Sequence, residues 1–428
     1  MNHTVFNFTT AVDPARLDEL TKTLEAIRAD PDNNALLRYR DFNSVHFASI
    51  NLFPPDPDTD SYPCSGSPLA ERRRDTYLVW ENNIDGSLKA FVDDLLRRFP
   101  VGVDAILRCC RSGPVNADPG AMRKYLLAHV VKPGAYHIGT PWRVVQRIRD
   151  EARLRDAIED IADAVAGNGL TPVDPLAARK RIQDGVRANP AFAFALRPPP
   201  NVSLVDKLRP WLPLIPRLPG FLWNLLLTIL FLPYLRWREL RDCEWQGDVD
   251  PRLQEELGAR ENFFAQNHMA NMSDIKAGFA RRVSARAVLM GASIGARLST
   301  KGTLGGIPSI HFAHWAFLDG GKRLLFCSNF DGSWENYLDD FIDKASKGLT
   351  GIWGGTIGFP RARWLFLDGA KNGARFKAIA RNKQVPSSVF YSAYEKLTVQ
   401  AVDNNSAIRR DLFTDLDAAA TKQWLRRL

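Results

Sequence analysis

The stretch IHFAHWAFLDGGKRLLFCSNFDGSWENYLDDFIDK, residues 310–344, decides the fold. It contains two apolar runs with strand-like alternation, and the turn Asp319-Gly320-Gly321 separates them, which predicts a hairpin. The turn Asp331-Gly332-Ser333 ends the second run, and apolar residues at helical spacing follow it. The stretch therefore predicts a strand, a tight turn, a second strand and a helix.

The same pattern occurs near the start of the chain. Val45-His46-Phe47-Ala48 matches Ile310-His311-Phe312-Ala313, and Asn83-Ile84-Asp85-Gly86-Ser87 matches Asn329-Phe330-Asp331-Gly332-Ser333. The first copy is longer by a Pro-, Asp- and Ser-rich stretch at 54–74, which is expected at the tip of its hairpin because loops tolerate insertions. The repetition predicts an internal duplication.

Further elements complete each copy. The predicted elements outside the matched stretches are strands at 6–10, 105–108, 269–275 and 349–353 and helices at about 15–28 and 279–296. Each copy then has the order β-α-β-β-α-β of a ferredoxin-like unit. We therefore predict an α+β fold in which two such units, residues 1–112 and 263–428, pack as an α+β barrel.

Residues 113–262 form a predicted helical insertion between the copies, with helices at about 121–131, 142–166 and 175–187. The insertion ends in an apolar segment at about 208–238 that is interrupted by prolines and flanked by arginines and tryptophans. Such flanks are typical of a membrane interface. Because two units that pack together lie on one side of a bilayer, we expect a monotopic or interfacial segment. The alternative is a buried helical hairpin in a soluble protein.

Composition and charge also favour a membrane surface as the partner. The chain has 428 residues, 45% of them apolar and 25% charged, which is ordinary for a globular protein. The net charge is +9, and basic residues are densest around the apolar segment, which suits an anionic membrane surface better than nucleic acid. The five cysteines lack metal-ligand spacing and are expected to be reduced. We see no secretory signal and expect the cytoplasmic face of a membrane, as a peripheral or monotopic protein; the oligomeric state stays open.

Histidines are the main candidates for chemistry, because nucleotide-binding and hydrolase motifs are absent from the sequence. His46 and His311 are equivalent in the two copies, which indicates either a shared structural hydrogen bond or, in one copy, a ligand to a metal or to haem iron. His268 is predicted on the first strand of the second copy. His311 and His314 are three residues apart and should point to opposite faces of a strand, so no shared metal site is expected.

Charged and aromatic residues near the second copy are further candidates. Asp331 is expected either to cap the next helix, with Ser333, or to transfer a proton. Arg361 and Arg363 are expected either as a solvated pair or as ligands of a carboxylate, a haem propionate or a lipid head group. Tyr391 and Tyr394 are either redox-active or packed.

Four segments carry a resemblance to a bacterial family: IHFAHW (310–315), CSNFDGSWENYLDDFIDK (327–344), GFPRARWLFLDGAK (358–371) and VPSSVFYSAYEKLTV (385–399). The duplicated design is also similar, more distantly, to the dimeric α+β barrel superfamily, which includes dye-decolourising peroxidases. The Asp-Gly of their GxxDG signature is present twice, but Asn82 and Ser328 replace its first glycine.

The resemblance implies haem peroxidase-like chemistry, and the predicted barrel, His311 and the apolar segment together motivate the hypothesis of a membrane-associated haem-dependent oxidoreductase that acts on an apolar or lipid substrate. Its haem would be held by His311, with His268, His314 and Arg363 around it, and Asp331 and Arg361 would be catalytic. The alternative is a cofactor-free barrel that binds a lipid or another apolar ligand without catalysis.

Overall fold

The computed structural model describes residues 3–56, 75–114, 118–166, 174–261, 265–298 and 302–428. Most of the predicted loop at 54–74 lies outside these residues. The strands are β1 (His3–Ala11), β2 (Val45–Phe53), β3 (Tyr77–Asp85), β4 (Ala135–Ile138), β5 (Gln266–Asp274), β6 (Ile310–Leu318), β7 (Arg323–Asp331), β8 (Ala362–Arg363), β9 (Leu367–Asp368), β10 (Gln384–Val385) and β11 (Ser387–Ser392).

The helices alternate with these strands and fill the central region. They are α1 (Leu17–Ala29), α2 (Leu88–Arg98), α3 (Pro100–Leu107), α4 (Pro119–Ala128), α5 (Val145–Ala166), α6 (Pro175–Ala188), α7 (Leu204–Leu208), α8 (Leu218–Leu230), α9 (Leu232–Glu239), α10 (Pro251–Gly258), α11 (Phe279–Leu298), α12 (Trp334–Trp353), α13 (Gly373–Asn382), α14 (Val399–Asp411) and α15 (Ala418–Leu425). The α+β class is therefore confirmed.

Two open antiparallel sheets form the centre of the molecule. The first has the order β1-β3-β2-β11 and the second has the order β10-β5-β7-β6-β4. β11 follows β10 after Pro386 but pairs with β2, so the chain passes from the second sheet to the first at this proline. The sheets do not close into the predicted barrel, because in the described residues β1 and β11 remain the outer strands of the first sheet.

The sheets face each other, and helices cover their outer faces. Phe6, Phe8 and Trp80 of the first sheet pack with α1, α2, α3 and α4 in one apolar core. The outer face of the second sheet packs with α12 and α13 in another. Between the sheets, Phe53 and Val79 contact residues of β5, β6 and β7. This alternation of inward and outward side chains fixes which residues enter the space between the sheets.

A β-bulge lies at the same place in both sheets. The pairing register shifts between Val45 and Phe47 in β2 and between Ile310 and Phe312 in β6. The extra residues are His46 and His311. Because a bulge re-aims side chains, both histidines are turned toward the opposite sheet, where each is fully buried.

Two predicted strands are helical. Residues 105–108 are largely within α3, and residues 349–353 form the end of α12. Short buried apolar runs do not distinguish a strand from a helix by periodicity, and here the helix α12 continues through the run. The strands that follow α3 and α12 and pair in the two large sheets are instead β4, β10 and β11.

The turns after β3 and β7 follow the sequence prediction. Gly86 and Gly332 have φ of 91° and 81°, which a residue with a side chain rarely adopts. Ser87 Oγ accepts from the Ala90 amide at the start of α2, and Ser333 Oγ accepts from the Asn336 amide at the start of α12, both at 3.2 Å. The predicted serine caps are therefore present.

Three cysteines, Cys109, Cys110 and Cys327, are buried free thiols. Cys243 is disulfide-bonded, so the expectation of reduced cysteines is wrong for this residue.

Replacing Ser333 by alanine should lower the free energy of unfolding by about 1 kcal/mol, because an N-terminal amide of α12 loses its acceptor. Urea denaturation followed by circular dichroism measures the change. Ser87→Ala is the matched variant and should give a similar loss. An unchanged urea midpoint in both variants would contradict the capping assignment.

Candidate functional site

Each bulge histidine is bonded to the aspartate that ends the neighbouring strand. His46 Nε2 lies 3.0 Å from Asp85 Oδ1, and His311 Nε2 lies 2.7 Å from Asp331 Oδ1. His46 Nδ1 is also 2.9 Å from the hydroxyl of Tyr394. Both histidines therefore have the hydrogen-bonded role that the sequence left as one of two alternatives.

The second oxygen of each aspartate binds a helix N-terminus. Asp85 Oδ2 accepts from the Val145 amide of α5 at 2.9 Å, and Asp331 Oδ2 accepts from the Val399 amide of α14 at 2.7 Å. Asp331 thus caps a helix, as one reading predicted, but the helix is α14 and not the adjacent α12. The pKa of Asp85 is held well below its usual value because, although burial raises it, hydrogen bonds from His3 and His46 outweigh burial.

A second group of polar side chains lies deeper between the sheets, and we call it the inter-sheet cluster: Glu81, His268, His314 and Cys327. Glu81 comes from the first sheet and the other three come from the second. His268 Nε2 is 3.7 Å from Glu81 Oε2, and His314 Nδ1 is 3.4 Å from Glu81 Oε1. All four residues are buried.

The charges in the inter-sheet cluster follow from its burial. Burial raises the pKa of Glu81, but interactions with His314, His268 and Asn83 outweigh it and lower the pKa to about 2. Burial lowers the pKa of His268 despite the nearby Glu81 carboxylate. Burial also raises the pKa of the Cys327 thiol well above its usual value. Glu81 is therefore an anion at neutral pH, enclosed by imidazole and thiol groups.

His311 and His314 point into the same space, which contradicts the expected opposite faces. The bulge at His311 adds one residue to β6 and changes the alternation, so both side chains face the first sheet. They still have different partners, since His314 contacts Glu81 and His311 contacts Asp331.

A cleft of about 350 Å³ opens beside the inter-sheet cluster. Its lining includes His268, Phe390 and Leu257, together with charged residues of both signs: Arg28, Arg260, Asp32, Glu261 and Glu395. The ring of Phe390 stacks on that of His268, with centroids 5.8 Å apart. The cleft combines apolar surface with a few charged groups, as small-molecule sites do.

The two predicted arginines are elsewhere, with partners of their own. The Arg361 side chain donates to the Asp242 carbonyl at 2.8 Å, and Arg363 pairs with Asp368 at 2.7 Å. Both side chains are at least half exposed. In the contacts of the described residues neither reaches the candidate histidines. Tyr394 is buried and bonded to His46, so it is packed, as one reading predicted.

Haem does not fit the predicted ligand His311. The His311 ring is fully buried, its Nε2 contacts Asp331, and the rings of Phe47 and Tyr394 lie 5.0 and 5.9 Å from it. An axial ligand needs an open side for the iron. Among the predicted ligands, His268 is the one that lines the described cleft.

Sequence reasoning missed Glu81 and Cys327. Both occupy the same place in their strands, two residues before Asn83 and Asn329, and both point between the sheets. The available signal was a carboxylate directly after the apolar run 77–80 of a strand, since a buried charge requires a partner. The partner could not be found from sequence, because it comes from another sheet.

The apolar segment is exposed and not buried. Leu204–Leu230 is long and apolar enough to cross a membrane, but only 11% of its most apolar window is buried and prolines interrupt it. α8 packs against α11 and leaves its other side open. The reading of this segment as a buried hairpin is therefore wrong. Length and composition alone do not establish membrane association.

Comparison with known proteins gives no match: no family model, curated protein or solved structure is significantly similar to the chain.

Asp331→Ala should lower the free energy of unfolding by about 2–4 kcal/mol, because α14 loses its cap and the buried His311 loses a hydrogen-bond partner. A decrease in the urea midpoint measures this. Asp85→Ala removes the equivalent contacts and should have a similar effect. If Asp331→Ala left stability unchanged, the structural assignment of this pair would be wrong.

Proposed function

We propose that the protein is a peripheral membrane protein that binds an apolar or lipid ligand in the cleft beside His268. The observation that carries the proposal is the exposed apolar surface of the segment between residues 204 and 240. This proposal agrees with two interpretations of the sequence. One is a lipid surface as partner, and the other is a cofactor-free protein that binds an apolar ligand.

The exposed apolar surface is too large to be incidental. The exposed large apolar side chains of the segment are Leu204, Val205, Leu208, Leu212, Ile215, Leu218, Leu222, Trp223, Leu225, Leu226, Ile229, Leu230, Tyr234, Trp237 and Leu240. Contiguous apolar surface of this kind marks interaction sites. Arg241 lies over the ring of Trp237 at 4.1 Å and Arg238 over that of Tyr234 at 6.0 Å. Arginine beside exposed aromatic rings suits the head-group region of an anionic bilayer.

A monotopic arrangement agrees with the connectivity. The first sheet contains β11 from the end of the chain, and the second contains β4 from before the apolar segment. Strands from both sides of the segment are therefore interleaved in the two sheets. A single crossing of the bilayer would separate them, whereas a helix lying in one leaflet keeps them together.

Vesicle co-sedimentation with phosphatidylglycerol liposomes tests the membrane proposal. We expect the double variant Leu222→Glu/Trp223→Glu to bind more than tenfold more weakly than the wild type. Each side chain is 60% exposed, and burying a large apolar side chain contributes about 1.5–3 kcal/mol.

The matched control is Val101→Glu/Leu176→Glu, which adds the same charge at exposed apolar positions outside the segment. The control should bind vesicles like the wild type. Equal binding by all three proteins would overturn the membrane proposal.

Binding of a fluorescent fatty acid tests the cleft. Ser387→Trp should weaken binding at least tenfold, because Ser387 lines the cleft and the larger side chain fills it. Gln146→Trp is the control, since Gln146 lines a different cavity. Unchanged affinity in Ser387→Trp, with the fold intact by circular dichroism, would exclude this cleft as the binding site.

We also infer that the two sheets descend from duplicated ferredoxin-like units. The same element order, the bulge at His46 and His311, and the aspartate-to-helix bond in both halves support this origin. A relationship to the dimeric α+β barrel superfamily stays a prediction of the resemblance.

A second candidate function is the oxidoreductase that the resemblance implies. The position of His268 in the cleft, next to the buried Glu81, favours redox or acid–base chemistry at this place. The geometry around His311 does not accommodate a haem, so no step is assigned to one.

After expression with added haem precursor, we expect the purified protein to show no Soret band. The physical reason is the enclosed His311 ring. A stoichiometric Soret band that disappears in His311→Ala, but remains in His46→Ala, would contradict this expectation.

A further inference from the structure

The inter-sheet cluster contains donor atoms of the kind that bind transition metals. Glu81 offers a carboxylate, His268 and His314 offer imidazole nitrogens, and Cys327 offers a sulfur. The ligand atoms of Glu81, His268 and Cys327 all lie within 4.8 Å of one another. His314 lies on the other side of the carboxylate, with its Nδ1 3.4 Å from Glu81 Oε1.

The spacing agrees with a bound ion. Bonds of about 2.0–2.3 Å to nitrogen, oxygen and sulfur place neighbouring ligand atoms about 3.3–3.8 Å apart. His268 Nε2 lies 3.7 Å from Glu81 Oε2. This distance is too long for a good hydrogen bond and fits two ligands of one ion.

Unused nitrogen atoms also point to an ion. Among the described residues, His268 Nε2 and both ring nitrogens of His314 are buried without a hydrogen-bond partner. His268 Nδ1 lies 3.0 Å from the Asn329 amide oxygen. When Nδ1 donates to that oxygen in neutral His268, Nε2 has the free lone pair that a metal ion binds.

The surroundings position the ligands as a metal site requires. Glu81 accepts hydrogen bonds from Asn83 at 2.7 Å and Ser49 at 3.3 Å, and Asn329 orients His268. Outer hydrogen bonds of this kind fix ligand orientation in metalloproteins. The His46 ring differs, since Tyr394 and Asp85 occupy both of its nitrogens.

We propose that Glu81, His268 and Cys327 bind one divalent metal ion of borderline softness, such as Zn²⁺ or Fe²⁺. An imidazole, a thiolate and a carboxylate suit these ions and exclude Mg²⁺ and Ca²⁺, which take oxygen ligands. The proposed site adjoins the cleft, whose wall includes His268. From the sequence, the absence of a metal site was expected only for the pair His311 and His314. This inference does not depend on the proposed membrane function.

Metal analysis of the full-length protein tests the proposal with Zn²⁺ as the probe. After incubation with Zn²⁺ and desalting, we expect about one equivalent per chain in the wild type. Glu81→Gln and Cys327→Ala should each weaken Zn²⁺ binding at least tenfold in competition with a chelator. Cys110→Ala is the matched control, because Cys110 is also a buried free thiol but lies in the other core, and it should retain full binding.

Cobalt substitution gives a spectroscopic test of the site in the wild-type protein. Co²⁺ bound in the wild-type cluster should show intense tetrahedral d–d bands and a thiolate-to-cobalt charge-transfer band. The charge-transfer band should be absent in Cys327→Ala if that variant is folded. A folded wild-type protein that binds neither Zn²⁺ nor Co²⁺ would overturn the proposal.

Discussion

Two carboxylates connect the two sheets to the helices α5 and α14, and the rest of the chain is arranged around these contacts. Asp85 and Asp331 each bind a bulge histidine with one oxygen and a helix N-terminus with the other. The two helices, α5 and α14, pack on each other. Each aspartate is partly buried, so its charge is stabilised by the amide at the helix terminus as well as by the imidazole. The position of one sheet is thereby coupled to that of the other.

Local sequence was sufficient where local interactions decide the structure. The hairpin at 319–321, the serine caps and the helices of the central region were predictable from turn chemistry and apolar spacing. The last strand of each predicted unit was not predictable. Residues 105–108 and 349–353 are apolar in both possible states, and the strands that replace them pair with distant parts of the chain. Closure of a barrel likewise depends on hydrogen bonding between edge strands, and the spacing of apolar residues does not predict which edge strands pair.

In the candidate site too, local sequence identified some residues and could not identify others. His268 and His314, which the sequence singled out as candidates, both contact Glu81. Arg361 and Arg363, also candidates, form surface ion pairs, because the sequence does not show where their loop runs. Glu81 was not predicted, because its neighbours come from the second sheet and only the packing of the two sheets brings them together. A site assembled across two sheets is visible only in three dimensions.

The strand that crosses between the sheets at Pro386 has a consequence for how the chain is made. As the protein leaves the ribosome, β1, β2 and β3 are synthesised before every strand of the second sheet, yet one edge of β2 has no partner until residues 387–392 emerge. Until then the nascent chain carries an unpaired sheet edge, a surface prone to wrong pairing. The amino-terminal sheet therefore completes its fold only after all strands of the second sheet have been synthesised.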